Sequence, residues 1–203
     1  MPDYIMAKIY DFILFPLVYP VRLAILNLVE RHHYKKLLDV CCGTGNQLKF
    51  LHSRGFDDLS IGMDISGPML KVAKKGRISG ACLQGDATTM PFHDNHFDMT
   101  MISFALHEKQ KVCAAEICEE MIRVTKKNGH LILVDFSLGP AVPLFVRQLI
   151  TCLELAAGKE HFGCFRKYCH AGGLDSLTAA FNLTEIERQS IFFNAFTLRV
   201  LEK

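Results

Sequence analysis

Residues 37–46 read Leu37-Leu38-Asp39-Val40-Cys41-Cys42-Gly43-Thr44-Gly45-Asn46. An apolar, β-type run carries an acid, a Gly-x-Gly turn follows, and a helical pattern opens at Gln47. Strand, glycine turn and helix in that order form the layout of a nucleotide-type binding site. Glycine is needed in such a turn because a side chain would hold the ligand off the backbone. The flanks argue against a dinucleotide. Its fingerprint, G-x-G-x-x-G, has a third glycine for close packing around a pyrophosphate, and Leu48 stands in that place. A P-loop is excluded because no Gly-Lys-Ser/Thr follows.

Two more acids close strand-like runs. Asp64 follows Leu59-Ser60-Ile61-Gly62-Met63, and Asp86 follows Ala81-Cys82-Leu83-Gln84-Gly85. A carboxylate at the second strand end can accept hydrogen bonds from both hydroxyls of a ribose. Three acids at successive strand ends would repel a polyphosphate. They suit a ligand with a ribose, an ammonium group and a sulfonium, a description that S-adenosylmethionine fits.

The run Asp39-Val40-Cys41-Cys42-Gly43-Thr44-Gly45 resembles the first motif of the Rossmann-like, class I S-adenosylmethionine-dependent methyltransferases of type 11. The resemblance continues through Asp64-Ile65-Ser66-Gly67-Pro68-Met69-Leu70, Gly85-Asp86-Ala87, Met90-Pro91-Phe92 and Asn95-His96-Phe97-Asp98. It ends at Lys127-Asn128-Gly129-His130-Leu131-Ile132-Leu133-Val134-Asp135-Phe136, so that it covers 37–137 and leaves both ends of the chain. Within that fold the chain is most similar to the ubiquinone/menaquinone C-methyltransferase branch. Cys41 departs from the pattern, since many members carry glycine there; cysteine is small enough for the turn to survive.

Periodicity sets the organisation. Residues 4–31 read as helical or broken helical, interrupted at Pro16 and Pro20. Strands are expected at about 36–41, 59–63, 80–84, 97–103 and 130–136. Helices are expected at about 45–54, from Ser66 with Pro68 in the first turn, and at 108–126, 141–157 and 173–181. Two closing strands, about 183–189 and 195–201, lie close enough in sequence to pair antiparallel. Alternating strands and helices imply an α/β fold, a three-layer α/β/α Rossmann-like sandwich. Its seven-stranded sheet is mostly parallel, with an antiparallel C-terminal pair. At 203 residues and half hydrophobic, with 15 Phe and no Trp, residues 1–203 suit one domain. The parts are an N-terminal helical lid segment (1–31), a cofactor-binding core (36–137), and substrate-side helices with closing strands (138–203).

Each candidate site residue has a bland reading beside the functional one. Asp39 either anchors the ammonium of the cofactor's methionine end, through water or backbone, or caps the glycine loop. Gly43 and Gly45 admit that end of the ligand to the backbone, or form an ordinary αβ turn. Asp64 is the ribose ligand, or else an acid at a helix N-terminus. Met63 and Ile65 are placed against the adenine. Asp86 accepts from the adenine amino group, with the backbone of Ala87 reading the ring edge, or merely ends its strand. Ser103, Phe104 and His107 follow the fourth strand, on the carboxyl edge where open α/β sheets bind ligands. The resemblance puts that segment beneath the methyl donor, facing the acceptor. There a neutral His107 can accept a proton or orient an acceptor oxygen, or simply start a helix.

The apolar segment 4–20 resembles the part of the family that folds over the cofactor, with Tyr10 as the residue for a cation–π contact to the sulfonium. Packing on the sheet is the plainer alternative. Residues 138–172, with Phe145, Phe162, Phe165, Arg166 and Tyr168, are expected to form the second wall of an acceptor pocket, Arg166 holding an anionic or carbonyl oxygen. The resemblance implies methyl transfer from S-adenosylmethionine, leaving S-adenosylhomocysteine, to a small or lipid-like acceptor. A quinone-type carbon or a phospholipid headgroup is favoured over a small polar metabolite. A non-catalytic S-adenosylmethionine-binding protein and a nicotinamide-dependent reductase are the competing classes.

The formal net charge of +2 and the lack of a basic stripe give no support to nucleic-acid binding. No basic-then-apolar leader opens the chain, so a cytoplasmic protein is expected, with peripheral membrane contact as a variant and no obligate protein partner. The eight cysteines read as reduced thiols and no metal is expected. The alternative, a zinc site at His161, Cys164, Cys169 and His170, matches no familiar zinc spacing.

Overall fold

The computed structural model of the chain describes residues 2–75 and 81–203, with side chains from Pro16 onward. Seven strands, β1 (Lys36–Val40), β2 (Leu59–Asp64), β3 (Ala81–Gln84), β4 (Phe97–Ser103), β5 (Thr125–Phe136), β6 (Thr184–Ile191) and β7 (Phe196–Glu202), form one sheet in the order β3-β2-β1-β4-β5-β7-β6. The first five run parallel, and β7 lies antiparallel to both β5 and β6. The short β6–β7 connection forces a hairpin. Its turn holds Phe192, Phe193 and Asn194 at positive φ (48°, 55° and 64°). The expected α/β fold, with a mostly parallel seven-stranded sheet and an antiparallel C-terminal pair, is the one observed.

Side-chain alternation along the strands divides the core in two. Leu37, Met99, Met101, Ile132, Val134, Leu198 and Val200 share one apolar cluster with residues of α1 (Pro2–His32), α2 (Asn46–Ser53), α5 (Leu144–Ala156) and α6 (Lys159–His170). Leu38, Val40, Ile102, Leu131 and Leu133 share the other with α4 (Lys111–Val124) and α7 (Gly173–Thr178). A parallel sheet covered on both faces needs such runs of alternating apolar partners. The remaining helix, α3 (Gly67–Lys75), follows β2 and buries Leu70, Val72 and Ala73.

Three elements depart from the sequence reading. α1 is continuous from Pro2 to His32 and is not broken at Pro16 and Pro20. The two prolines stand four residues apart, so their missing N–H donors fall on one side of the helix. The face Val21, Ala24, Ile25 and Leu28 is buried against the core and holds the helix in place. α6 has no counterpart in the expected elements. Gly158, at φ 123°, ends the apolar run of α5, and a more polar helix restarts at Lys159. β5 begins five residues early at Thr125, which pairs with Phe97 across a bulge, and α4 ends at Val124 accordingly.

β1 and β4 are neighbours, but β1 leads to β2 on one side and β4 to β5 on the other. This is the topological switch point of the sheet, where an open α/β fold leaves a crevice beyond the carboxyl ends of its strands. The loop after β1 packs tightly there. A Cβ on Gly62 of β2 would lie 2.8 Å from Cys42 Sγ and 3.1 Å from Leu48 Cδ1. We predict that Gly62→Ala destabilises the fold by about 1–3 kcal/mol through overpacking, read as a lowered denaturation midpoint. A variant as stable as the parent would contradict this packing.

Candidate active site

Strand register brings the expected residues to one edge. Val40 pairs with Met63 on one side and Ile102 on the other, Asp64 pairs with Gln84, and Ser103 with Val134. The residues that follow these pairs therefore line the carboxyl edge together. In the turn after β1, Cys41, Gly43 and Gly45 all have positive φ (56°, 54° and 68°). Cysteine accepts that conformation at position 41, at a strain of about 1–2 kcal/mol for a residue with a Cβ. A Cβ on Gly43 would meet nothing within 4 Å, so the space over the turn is open.

Asp64 holds the turn. Its Oδ2 accepts from the Gly43 N–H at 2.7 Å and its Oδ1 from the Ser66 N–H at 2.8 Å. Asp39 is buried at 4% exposure. Burial first, then the Asp64 charge, push its carboxyl up to about 8, with Arg22 of α1 acting in the opposite sense. Asp86 is exposed, and its Oδ1 accepts from the Thr88 N–H and hydroxyl, which lowers its pKa. Ala87 beside it is buried. Ile65 is 65% exposed at the edge, whereas Met63 is fully buried in the core and is not available to an adenine. Among the described residues, Ser103 Oγ and Gln47 Nε2 are buried without a hydrogen-bond partner. Such atoms are expensive to leave unsatisfied, and a polar ligand over the turn would satisfy them. The edge thus fits a nucleoside-type ligand. The side chain of Tyr10, the expected lid residue, lies outside the described ones.

Directly beyond Ser103 the chain enters a second compartment. Phe104 turns at φ 54°, and its ring packs on Phe136 and Phe196 with centroids 5.6 and 4.9 Å away. These rings, with Leu17 and Val18 of α1, Ile150 and Leu153 of α5, and Ala157, line a cavity of about 300 Å³. Among the described residues its polar lining is confined to His107, Glu108, Glu154 and His161. The N-terminal segment does contribute a wall. The second wall comes from α5 and α6, but not through the residues expected. Phe165 is buried behind the cavity, edge-on to His107 and Phe136, while Phe145 and Arg166 are exposed.

The four polar residues form a continuous network. His107 Nδ1 lies 2.7 Å from Asp135 Oδ1, and its Nε2 lies 3.4 Å from Glu154 Oε2. His161 Nε2 approaches the same Glu154 oxygen at 2.6 Å, and its Nδ1 faces Glu108 Oε2 at 3.4 Å. Burial opposes charge on His107, but the Asp135 charge and hydrogen bond, then Glu154, override it and raise the ring to about 10. Hydrogen bonds donated to Glu108 and Glu154 raise His161 to about 9. Glu154 is buried, yet hydrogen bonds from the two histidines hold it down at about 2. His107 is therefore not the neutral imidazole expected from the sequence. Asp135, Glu154 and His161 were missed as its partners. The visible signal was Glu154, a lone acid on the buried Val146–Ile150 face of an apolar helix.

All eight cysteines are free. Burial pushes the Cys41, Cys118 and Cys169 thiols up to about 12, so they stay protonated and unreactive. Among the described residues, the group of histidines, cysteines and acids placed to share a metal ion is His107, Glu154 and His161, not the α6 set of His161, Cys164, Cys169 and His170. Among the described residues no helix is long and apolar enough to cross a membrane.

Comparison with known proteins agrees with this geometry. The family described as a methyltransferase domain matches residues 38–133. An uncharacterized methyltransferase of Synechocystis, sll0829, is 31% identical over 189 residues, which cover 78% of this chain and 88% of that protein. A demethylmenaquinone methyltransferase of Paenarthrobacter aurescens is 42% identical over 117 residues, 58% of this chain and 44% of the relative. The chain spans about half the length of the demethylmenaquinone methyltransferases it matches. In fold it is similar to the crystal structure of a SAM-dependent methyltransferase from Aquifex aeolicus, with a TM-score of 0.58 at 16% identity, covering 87% of this chain and 88% of that one. With the glycine turn, the acid-tipped strands and the sheet order in agreement, the chain belongs to the Rossmann-like, S-adenosylmethionine-dependent methyltransferase family.

Proposed function

We propose that the chain methylates an apolar, ring-bearing acceptor of the quinol type, with S-adenosylmethionine as donor. The observation that carries this reading is the 300 Å³ cavity, walled by Phe104, Phe136 and Phe196 and placed one residue beyond the cofactor edge. The names of the demethylmenaquinone methyltransferases it resembles support the same acceptor class. A small polar metabolite would find few partners along such walls. A protein that only binds S-adenosylmethionine would need no cavity there.

Asp64 and Asp86 are assigned the ribose and the adenine amino group, and Ile65 and Ala87 the ring. Asp39, Gly43, Gly45 and Ser103 are assigned the amino-acid end. α1, which carries Tyr10 and lines the cavity through Leu17 and Val18, is assigned the lid. When bound, the donor would supply a methyl on a sulfonium that leaves as a neutral thioether, the new bond forming to a quinol that has already lost one proton to solvent. The protein's part is alignment and exclusion of water. The aromatic walls hold the acceptor ring. The polar end of the cavity, at His107, Glu108, Glu154 and His161, orients the acceptor oxygen.

The direct test incubates the protein with methyl-labelled S-adenosylmethionine and a chemically reduced demethylmenaquinone. Label should enter the quinol. Binding of the donor with no transfer to the quinol would overturn the acceptor class.

Two predictions concern the cofactor edge. Asp64→Ala removes charge-assisted bonds of about 1.5–3 kcal/mol each and also frees the Gly43 turn. S-adenosylhomocysteine should bind at least tenfold more weakly by calorimetry, and an unchanged affinity would refute the assignment. Asp39 carries a proton in the free protein below about pH 8, and a bound ammonium favours its carboxylate. Binding should release that proton, so affinity should rise with pH from about 6 to 8 and level off above. Asp39→Asn should abolish the rise. A pH-independent affinity in the parent protein would show that Asp39 does not face the ammonium.

A further inference from the structure

The ionic end of the cavity has an organisation that an ordinary salt-bridge cluster does not require. His107 stands in the loop after β4, Glu154 on α5 and His161 on α6, so three elements converge on one point. Both imidazoles turn Nε2 toward the same Glu154 oxygen. Both also have a second carboxylate on Nδ1, Asp135 on His107 and Glu108 on His161. A carboxylate on Nδ1 fixes the tautomer that leaves a lone pair on Nε2, and that is the outer-shell arrangement of metal-ligating histidines.

We propose that His107 Nε2, His161 Nε2 and the Glu154 carboxylate bind one divalent transition-metal ion at the end of the acceptor cavity.

Distance, charge and donor type agree with this. The three donor atoms lie within 4.8 Å of one another. Ligands about 2.0–2.2 Å from a common ion stand roughly 3.0–3.5 Å apart. His107 Nε2 and Glu154 Oε2 are already 3.4 Å apart, and the 2.6 Å His161–Glu154 contact needs only a small opening. Among the described residues, the carboxylates of Asp135, Glu154 and Glu108 outnumber the one ammonium beside them, Lys109, by two charges. Two protons on the imidazoles fill that deficit, and so does one divalent cation with both imidazoles neutral. Two imidazoles and one carboxylate suit Zn²⁺, Fe²⁺ or Co²⁺ better than Mg²⁺ or Ca²⁺, which prefer oxygen alone. Three protein ligands leave coordination positions open, and here they open onto the apolar cavity. An acceptor hydroxyl is the oxygen placed to fill one. That last step rests on the quinol-type reading above; the metal site itself does not.

The test uses Co²⁺, whose ligand-field absorption reports its coordination directly. Chelator-dialysed protein, checked for fold by circular dichroism, is titrated with Co²⁺ and then with Zn²⁺ in competition. One Co²⁺ per chain should bind, and Zn²⁺ should displace it. His161→Ala, at a partly exposed position, and Glu154→Gln should each weaken Co²⁺ binding at least tenfold. Cys164→Ser and His170→Ala should leave it unchanged. Sub-stoichiometric binding, or binding that survives His161→Ala in folded protein, would overturn the site. Loss of binding in Cys164→Ser would overturn it too, in favour of the α6 cysteines. A hydroquinone added to the Co²⁺-loaded protein, without any methyl donor, should shift the Co²⁺ spectrum. An unshifted spectrum would overturn oxygen coordination and leave the metal site standing.

Discussion

The Asp135 carboxylate organises the side of the molecule that holds the aromatic cavity. It is fully buried at the end of β5. Its Oδ2 accepts from the backbone N–H groups of Leu106 and His107, each at 3.1 Å, and its Oδ1 from the Phe136 N–H at 2.8 Å and lies 2.7 Å from His107 Nδ1. A carboxylate at that depth is tolerable only with its lone pairs satisfied. Here the donors that satisfy it belong to the loop leaving β4. The same bonds that stabilise the charge therefore pin the loop, hold Phe104 in its left-handed turn, and aim His107 Nε2 into the cavity. Without this anchor the aromatic wall and the ionic end would have no common frame.

Two chemically different compartments meet at the switch point of the sheet. One is a polar edge of backbone donors, acids and the unpartnered Ser103 hydroxyl. The other is an apolar cavity whose described charged residues gather at one end. Ser103 belongs to the first and Phe104 to the second, so the boundary falls between adjacent residues. Methyl transfer needs that closeness, because donor and acceptor must align while water is kept out. Separate compartments also let the aromatic cavity change without disturbing the carboxyl edge of the sheet. This agrees with a chain whose sequence likeness to the demethylmenaquinone methyltransferases covers little more than half its length.

The core was legible in the sequence because its signals are local. Leu37 to Asn46 states strand, turn and helix within ten residues, and the alternation of Leu131, Ile132, Leu133 and Val134 states a two-sided strand. The continuity of α1 was not legible, since two prolines argue locally for a break and only burial of its Val21–Leu28 face overrides them. α6 was missed because its polar composition gives a weak apolar period, with Phe165 as its buried residue. The His107 environment was missed for another reason. Its partners come from β5, α5 and α6, and no spacing in the chain announces that they meet. A single histidine after a strand then reads as neutral, when its neighbours make it ionic.

The central claim is that the cofactor edge and the aromatic cavity form one continuous site. A crystal structure of the protein with S-adenosylhomocysteine tests this most directly. Ribose hydroxyls on Asp64, a partner for Ser103 Oγ, and a sulfur atom opening onto the cavity walled by Phe104 and Phe136 are expected. A ligand bound elsewhere, or a sulfur separated from that cavity by protein, would contradict it.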